Sequence, residues 1–386
     1  MSKKIQPSKK IHSLEDARKL AKKRLPKMFF DFVDGAAGNE KLCELNSTAL
    51  DQIRLEPKVL RNVEKRSLSK KFFGINYNLP FGFAPMGMCD LTWPGADKML
   101  ANESLINNIP ACVSMASTTS LEKMYELTEG RSWLQLYIFQ DEKFVMELLD
   151  RAEKTGYKTL VLTVDVPIQF RRAKDDKNGF TVPFRIGPKQ FFDFATHPNW
   201  SISTLLYGIP KPMNYETSKS GNKFVRSESR GSTDWETLKR IRDAWDGKLV
   251  VKGVMSQEDA LKIKNEGADA IQVSNHGGRQ LDRATAAINA LPTIRKTVGK
   301  EFPLIFDSGI RSGSDILRAL AFGADLVMLG RPLMYAIGAD GARGLRRIIN
   351  LIKEELSTNL GLVGLNNINE VDEKIIAEKY LKDIKY

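Results

Sequence analysis

KLVVKGV (248–254), ADAIQVSN (268–275), FPLIFDSG (302–309) and ADLVMLG (324–330) are four apolar runs of strand length, separated by segments with helical periodicity. Runs that stay apolar without alternation belong to strands buried on both faces, as in a parallel sheet covered by helices. Upstream of 248 stand four more: LPFGFAP (79–85), PACVSM (110–115), SWLQLYI (132–138) and KTLVLTVDVP (158–167). Eight strand–helix units predict an α/β fold closed into a (β/α)8 TIM barrel rather than an open sheet. The helical segments carry their own punctuation. Ser256 and Ser312 stand where an N-cap is needed, and Gly267 and Gly323 stand between a helix and the next strand.

Outside this rhythm, residues 12–78 predict a helical cap and a short β element, so that 1–78 is an N-terminal extension of a barrel spanning 79–340. Residues 166–232 form a long loop after the fourth strand, rich in Gly, Pro, Ser and aromatic residues. Loops of that length in compact proteins are usually functional or partly disordered. Residues 341–386 read as C-terminal helices. The whole span 1–386 reads as a single domain, because α/β barrels routinely exceed the usual domain size.

Composition excludes several classes. Hydrophobic residues make up 42% of the chain and charged residues 27%, ordinary values for a globular protein. Cys43, Cys89 and Cys112 show no metal-ligand spacing, which argues against a zinc site or disulfide framework and for a reducing compartment. No apolar leader and no apolar run of roughly 18 residues is present. The expectation is a cytoplasmic protein, soluble or lying on the inner face of the cell membrane. The net charge is +12, and residues 1–27 hold ten Lys and Arg against Glu15 and Asp16. That cluster suits an anionic surface, although its plainest reading is a solvated tail. No nucleic-acid-binding motif accompanies it, so no nucleic-acid partner is expected.

Barrel enzymes place their chemistry at the C-terminal ends of the strands. Here those ends are polar: Gln135-Leu136-Tyr137, Thr163-Val164-Asp165, Lys252-Gly253, Ser274 to Asp282, Asp307 to Arg311, and Gly330-Arg331. The loops after strands seven and eight each offer glycine for close approach and an arginine for charge, the pattern of a phosphate site. Asp307 is placed to hold a sugar-like hydroxyl. Lys252 fits three roles equally well: catalysis, charge stabilisation of a cofactor, or pairing with a carboxylate. His276 stands at a strand end before Gly277-Gly278-Arg279. It can take a proton near neutral pH, with Arg279 gripping a carboxylate and Asp165 stabilising the imidazolium. His12 and His197 lie away from any strand end. No metal site is expected.

SNHGGRQLD (274–282) resembles the signature of the FMN-dependent 2-hydroxy-acid oxidising family, which includes glycolate and lactate oxidases and lactate and mandelate dehydrogenases. LPKM (25–28), QLY (135–137), LTVD (162–165), VKG (251–253), DSGIRSGSD (307–315) and LGRP (329–332) match in the family's order, over roughly residues 13–365. The resemblance implies FMN as cofactor, His276 as general base with Asp165 as its acidic partner, and Arg279 assisted by Arg172 on the substrate carboxylate. Tyr137 would contact the substrate. FMN would meet Pro85, Met86, Gly87, Ser114, Gln135, Thr163, Lys252 and Ser274, with its ribityl-phosphate near Asp307, Ser308, Gly309, Ile310, Arg311, Gly330 and Arg331. Lys252 would stabilise negative charge on the flavin. A homo-oligomer, a tetramer by resemblance, is expected.

Many relatives carry a substrate-binding tyrosine where this chain has Phe32. The expected consequence is a more apolar pocket that disfavours small substrates such as glycolate, and Ala116, where some relatives carry tryptophan, points the same way. Residues 183–213 are unusually aromatic, resembling the insertion of membrane-associated lactate and mandelate dehydrogenases, and Arg185, Lys189 and Lys211 flank them. Gly87, where many oxidases have alanine, agrees. These features predict a 2-hydroxy-acid dehydrogenase, peripheral on a membrane, passing electrons to a quinone or respiratory carrier, and the family resemblance implies the L-enantiomer of the substrate. The alternatives are a soluble oxidase releasing hydrogen peroxide and a flavin-free phosphate-binding barrel enzyme.

Overall fold

The computed structural model describes residues 5–138, 142–182, 186–219, 224 and 230–378. A hairpin of β1 (Lys70–Phe72) and β2 (Ile75–Tyr77) precedes eight parallel strands: β3 (Phe81–Met86), β4 (Ala111–Ser114), β5 (Ser132–Leu136), β6 (Thr159–Thr163), β7 (Lys248–Val254), β8 (Ala270–Val273), β9 (Leu304–Phe306) and β10 (Leu326–Leu329). They close in chain order, with β10 pairing to β3. This is the (β/α)8 barrel expected from the apolar runs.

Successive side chains of a strand face opposite ways, so one face of each strand fills the barrel and the other meets the helices. Leu134, Leu160, Leu162, Leu249, Ile271, Leu304 and Val327 point outward into the large core under the helices. Cys112, Trp133, Val161, Val250, Ala270, Ile305 and Leu326 point inward and form an apolar layer, closed from below by Phe72 and Tyr77 of the hairpin. Two residues further along each strand, the same inward face carries Ser114, Gln135, Thr163, Lys252, Gln272 and Asp307. Periodicity thus puts a polar layer on top of an apolar one, and the site stands on a packed floor.

Helices surround the barrel, and two of them begin at the serines that the sequence offers as caps. Before the barrel run α1 (Leu14–Arg24), α2 (Lys27–Asp34) and α3 (Lys41–Gln52). α4 (Ala96–Asn107), α5 (Leu121–Leu127) and α6 (Glu142–Thr155) follow β3, β4 and β5. The insertion is not structureless: it holds α7 (Ala173–Asn178), α8 (Pro188–Ala195), α9 (Pro198–Tyr207) and α10 (Met213–Glu216). α11 (Trp235–Asp243), α12 (Gln257–Asn265), α13 (Ala287–Val298), α14 (Gly313–Ala321) and α15 (Arg331–Leu362) complete the ring. Ser256 caps Asp259 N–H and Ser312 caps Asp315 N–H. α15 breaks at Asp340 and Gly341 and packs against α1.

The insertion has two faces. Trp200 and Phe194 pack on Phe29 of α2, with ring centroids 4.6 and 5.7 Å away, and Trp200 Nε1 donates to Leu91 O. Phe191, Phe192, Leu205 and Leu206 stay exposed, Leu206 at 83%. Lys189 and Lys211 lie on α8 and just before α10, whereas Arg185 falls outside the described residues. Among the described residues, no helix is long and apolar enough to cross a membrane.

Candidate active site

The strand ends converge on one cavity at the C-terminal mouth of the barrel. Of the residues singled out from sequence, Phe32, Pro85, Met86, Gly87, Ser114, Tyr137, Arg172, Lys252, His276, Arg279, Asp307, Ser308, Gly309, Ile310, Arg311, Gly330 and Arg331 line it. Gln135, Thr163, Asp165 and Ser274 are set just behind that lining; Gln135, Thr163 and Ser274 are buried.

His276 Nδ1 lies 2.9 Å from Asp165 Oδ1, and its Nε2 lies 3.4 Å from the Tyr137 hydroxyl. The carboxylate fixes the proton on Nδ1 and leaves Nε2, toward Tyr137, as the basic nitrogen. Burial pushes the imidazole below its ordinary pKa of 6.5; Asp165 opposes this, and the Lys252 and Arg279 cations reinforce it. His276 is therefore a neutral base at pH 7. Burial would raise the Asp165 pKa, but the His276 and Lys252 charges outweigh it and hold the carboxyl below its ordinary value. Burial likewise opposes the Lys252 charge, yet Asp307 and Asp165 keep that lysine above its ordinary value. Lys252 therefore places a cation in the polar layer, with Nζ 2.9 Å from Ser274 Oγ, 3.5 Å from Asp307 Oδ2 and 4.0 Å from Asp165 Oδ2.

The 274–282 stretch divides into chemistry and anchorage. Asn275 and Asn46 exchange side-chain hydrogen bonds of 2.8 and 2.7 Å, and Asp282 accepts the N–H groups of Asn39 and Leu42. These tie the loop to α3. Gly278 has φ +75°, and a Cβ there would stand 2.6 Å from Cys43 N, so only glycine lets α3 come this close. Gln280 Nε2 donates to Asp165 O, pinning the acid. His276 itself adopts φ +58° and Ser308 φ +84°. Non-glycine residues in that region cluster where function over-determines the backbone.

Arg279 Nη1 donates to Phe32 O and Gly35 O, both at 3.0 Å, at the C-terminal end of α2, which sets its direction into the cavity. Arg172 lies 3.7 Å from Asp175. Phe32 stacks on Phe180, ring centroids 4.6 Å apart, and the Arg279 guanidinium lies 5.4 Å from the Phe32 ring centroid. The wall near the two arginines is thus aromatic.

The residues fit FMN. Gln135 Nε2, Thr163 Oγ1 and Gln272 Oε1 are buried polar atoms without hydrogen-bond partners, a costly arrangement that the carbonyl and N–H groups of a flavin ring would satisfy. At the opposite side, burial and the neighbouring Arg331 cation both push Arg311 below its ordinary pKa. A phosphate held by Arg311 and Arg331 would relieve that crowding. Asp307 accepts from Gln272 Nε2 and from Ser274 Oγ at 2.6 Å, so its carboxylate serves the lysine network as well as the cofactor edge.

Sequence reading missed Gln272, Gln280, Phe180 and Arg230. Gln272 was findable, since it shares the inward face with Ser274's neighbours at strand period two. Phe180 and Arg230 sit in the insertion, far from any strand end, and carry no local signal.

Comparison with known proteins agrees with this geometry. The profile of the FMN-dependent dehydrogenase family matches residues 21–378. The L-lactate dehydrogenase of Pseudomonas syringae pv. syringae (strain B728a) is 34% identical, covering 95% of this chain and 99% of its own. The (S)-mandelate dehydrogenase of Pseudomonas putida is 36% identical, over 94% and 93%. Among solved structures, the monotopic membrane protein (S)-mandelate dehydrogenase superposes with a TM-score of 0.90 at 35% identity, over 95% and 99% of the two chains. Mandelate oxidase superposes with a TM-score of 0.81 at 32% identity, over 94% and 97%. The flavin-binding barrel mouth and these matches along nearly the whole chain give one conclusion: this chain belongs to the FMN-dependent dehydrogenase family, enzymes that oxidise 2-hydroxy acids.

Proposed function

We propose that the chain oxidises an L-2-hydroxy acid of lactate size or larger to the 2-oxo acid and passes the electrons to a quinone or respiratory carrier. The observation that carries the reading is the His276–Asp165 pair, with Nε2 turned to a cavity that Arg279 and Arg172 also line. Arg279, assisted by Arg172, binds the carboxylate, and Tyr137 holds the substrate oxygen beside Nε2. Whether the α-carbon or the hydroxyl gives up its proton first, that proton ends on His276 Nε2, and Asp165 stabilises the resulting imidazolium. FMN, when held by the strand-end residues, would supply the acceptor for the two electrons and the substrate's other hydrogen, and the Lys252 cation stands at that site to offset the added negative charge. Phe32 and Phe180 favour a substrate with an apolar side chain.

The exposed aromatic face of α8 and α9 supports peripheral attachment to an anionic leaflet, where a quinone is within reach. Single-domain organisation over 1–386 and homo-oligomer formation belong to the same proposal. A panel of L- and D-2-hydroxy acids mixed anaerobically with the protein tests the first part, read as flavin bleaching. Reoxidation by a quinone analogue faster than by oxygen supports the acceptor; faster reoxidation by oxygen, with peroxide formed, makes the protein an oxidase.

A further inference from the structure

Arg230 lies at the C-terminal end of the insertion, outside every motif that marks the site. Its backbone N–H donates to Pro167 O at 3.0 Å, closing the far end of the insertion onto the residues that follow Asp165. The residue is buried and lines the active-site cavity. Its guanidinium carbon stands 4.5 Å from the centroid of the Tyr137 ring. On the other side of that phenol, the hydroxyl reaches His276 Nε2 at 3.4 Å. Contacts through Tyr137 thus connect a cation of the insertion to the base of the reacting centre.

A cation over an aromatic face is attracted by the ring's quadrupole, more strongly when the pair is desolvated. It has two effects here. It fixes the plane of a ring whose hydroxyl must meet the substrate, and it makes the phenol a better hydrogen-bond donor toward developing negative charge. Burial and the Asp165 charge raise the Tyr137 pKa, and the Lys252, Arg230 and Arg172 cations oppose that rise. We infer that Arg230 is a positioning residue of the reaction, acting on the substrate through Tyr137 rather than by direct contact, and that it makes the insertion a working part of the active site.

The inference rests on the 2-hydroxy-acid reading of the site, so wild-type turnover is measured first in the same assay. The test is a double-mutant cycle on the flavin-loaded enzyme, comparing kcat/KM of wild type, Arg230→Met, Tyr137→Phe and the double variant, with flavin content as the check on folding. Arg230→Met is expected to lose about tenfold in the wild-type background and almost nothing further when Tyr137 is already phenylalanine. Arg230→Lys, which keeps the cation, is expected to recover most of the loss. Equal losses in both backgrounds, or no loss in either, overturn the inference while leaving the proposed function standing. A wild-type enzyme whose flavin no 2-hydroxy acid reduces overturns both.

Discussion

His276 holds a left-handed backbone conformation that histidine ordinarily avoids, and the loop that imposes it also aims Nε2 at the cavity. Replacing it with glutamine, which preserves bulk and polarity, is expected to lower kcat by about 10²- to 10⁴-fold with FMN retained, as measured by turnover and flavin absorbance. The pH dependence has a definite sign. Because the imidazole is held below 6.5, kcat/KM rises with pH through a limb lying under that value and is flat at neutrality. Asp165→Asn removes the charge that raises the imidazole's pKa, so the limb moves to lower pH while kcat falls; an upward move contradicts the pairing. At Phe32 the expectation concerns substrate choice: Phe32→Tyr shifts the ranking of a chain-length series toward smaller hydroxy acids. Single residues were legible in sequence when they followed a strand, because strand ends have one address in a barrel. Gln272 escaped that rule because it stands within β8, two residues before the 274–282 stretch. Arg230 and Phe180 obey no such rule, since their positions depend on how an irregular insertion folds back.

Elements show why the 274–282 stretch is long. His276 and Arg279 carry the acid–base and carboxylate chemistry, while Asn275, Gly278, Gln280 and Asp282 hold the loop to α3 and to the Asp165 segment. Asp282→Ala removes a buried carboxylate that accepts two backbone N–H groups, and should cost about 3 kcal/mol in denaturant unfolding of the holoenzyme. The helix starts at Ser256 and Ser312 were readable because capping is local chemistry. Inside 166–232, α7 and α10 were not, because they have only six and four residues and stand by packing rather than by propensity. On α8 and α9, replacing Phe191, Phe192, Leu205 and Leu206 with serine should abolish sedimentation with phosphatidylglycerol vesicles. Turnover with a soluble acceptor should change by less than about twofold. Vesicle binding that survives the four changes would move the attachment elsewhere, the basic N-terminal segment first.

At the scale of the whole molecule, the barrel separates stability from chemistry along one axis. The hairpin and the inward apolar layer close one end, and the polar layer two residues higher supplies the cation, the base and the orphaned polar atoms of the flavin seat. The eight runs announced this architecture because double burial keeps most positions of such a strand apolar. Substrate and acceptor were less legible, since both depend on the insertion's side chains rather than on the barrel. The central claim is that a neutral His276, paired with Asp165, starts the transfer of electrons from a bound 2-hydroxy acid to FMN. Anaerobic stopped-flow mixing of wild type and His276→Gln with L-2-hydroxy acids tests it most directly. Wild type is expected to lose oxidised-flavin absorbance rapidly, and the variant to keep a normal but unreduced flavin spectrum. Equal bleaching in both proteins would contradict it.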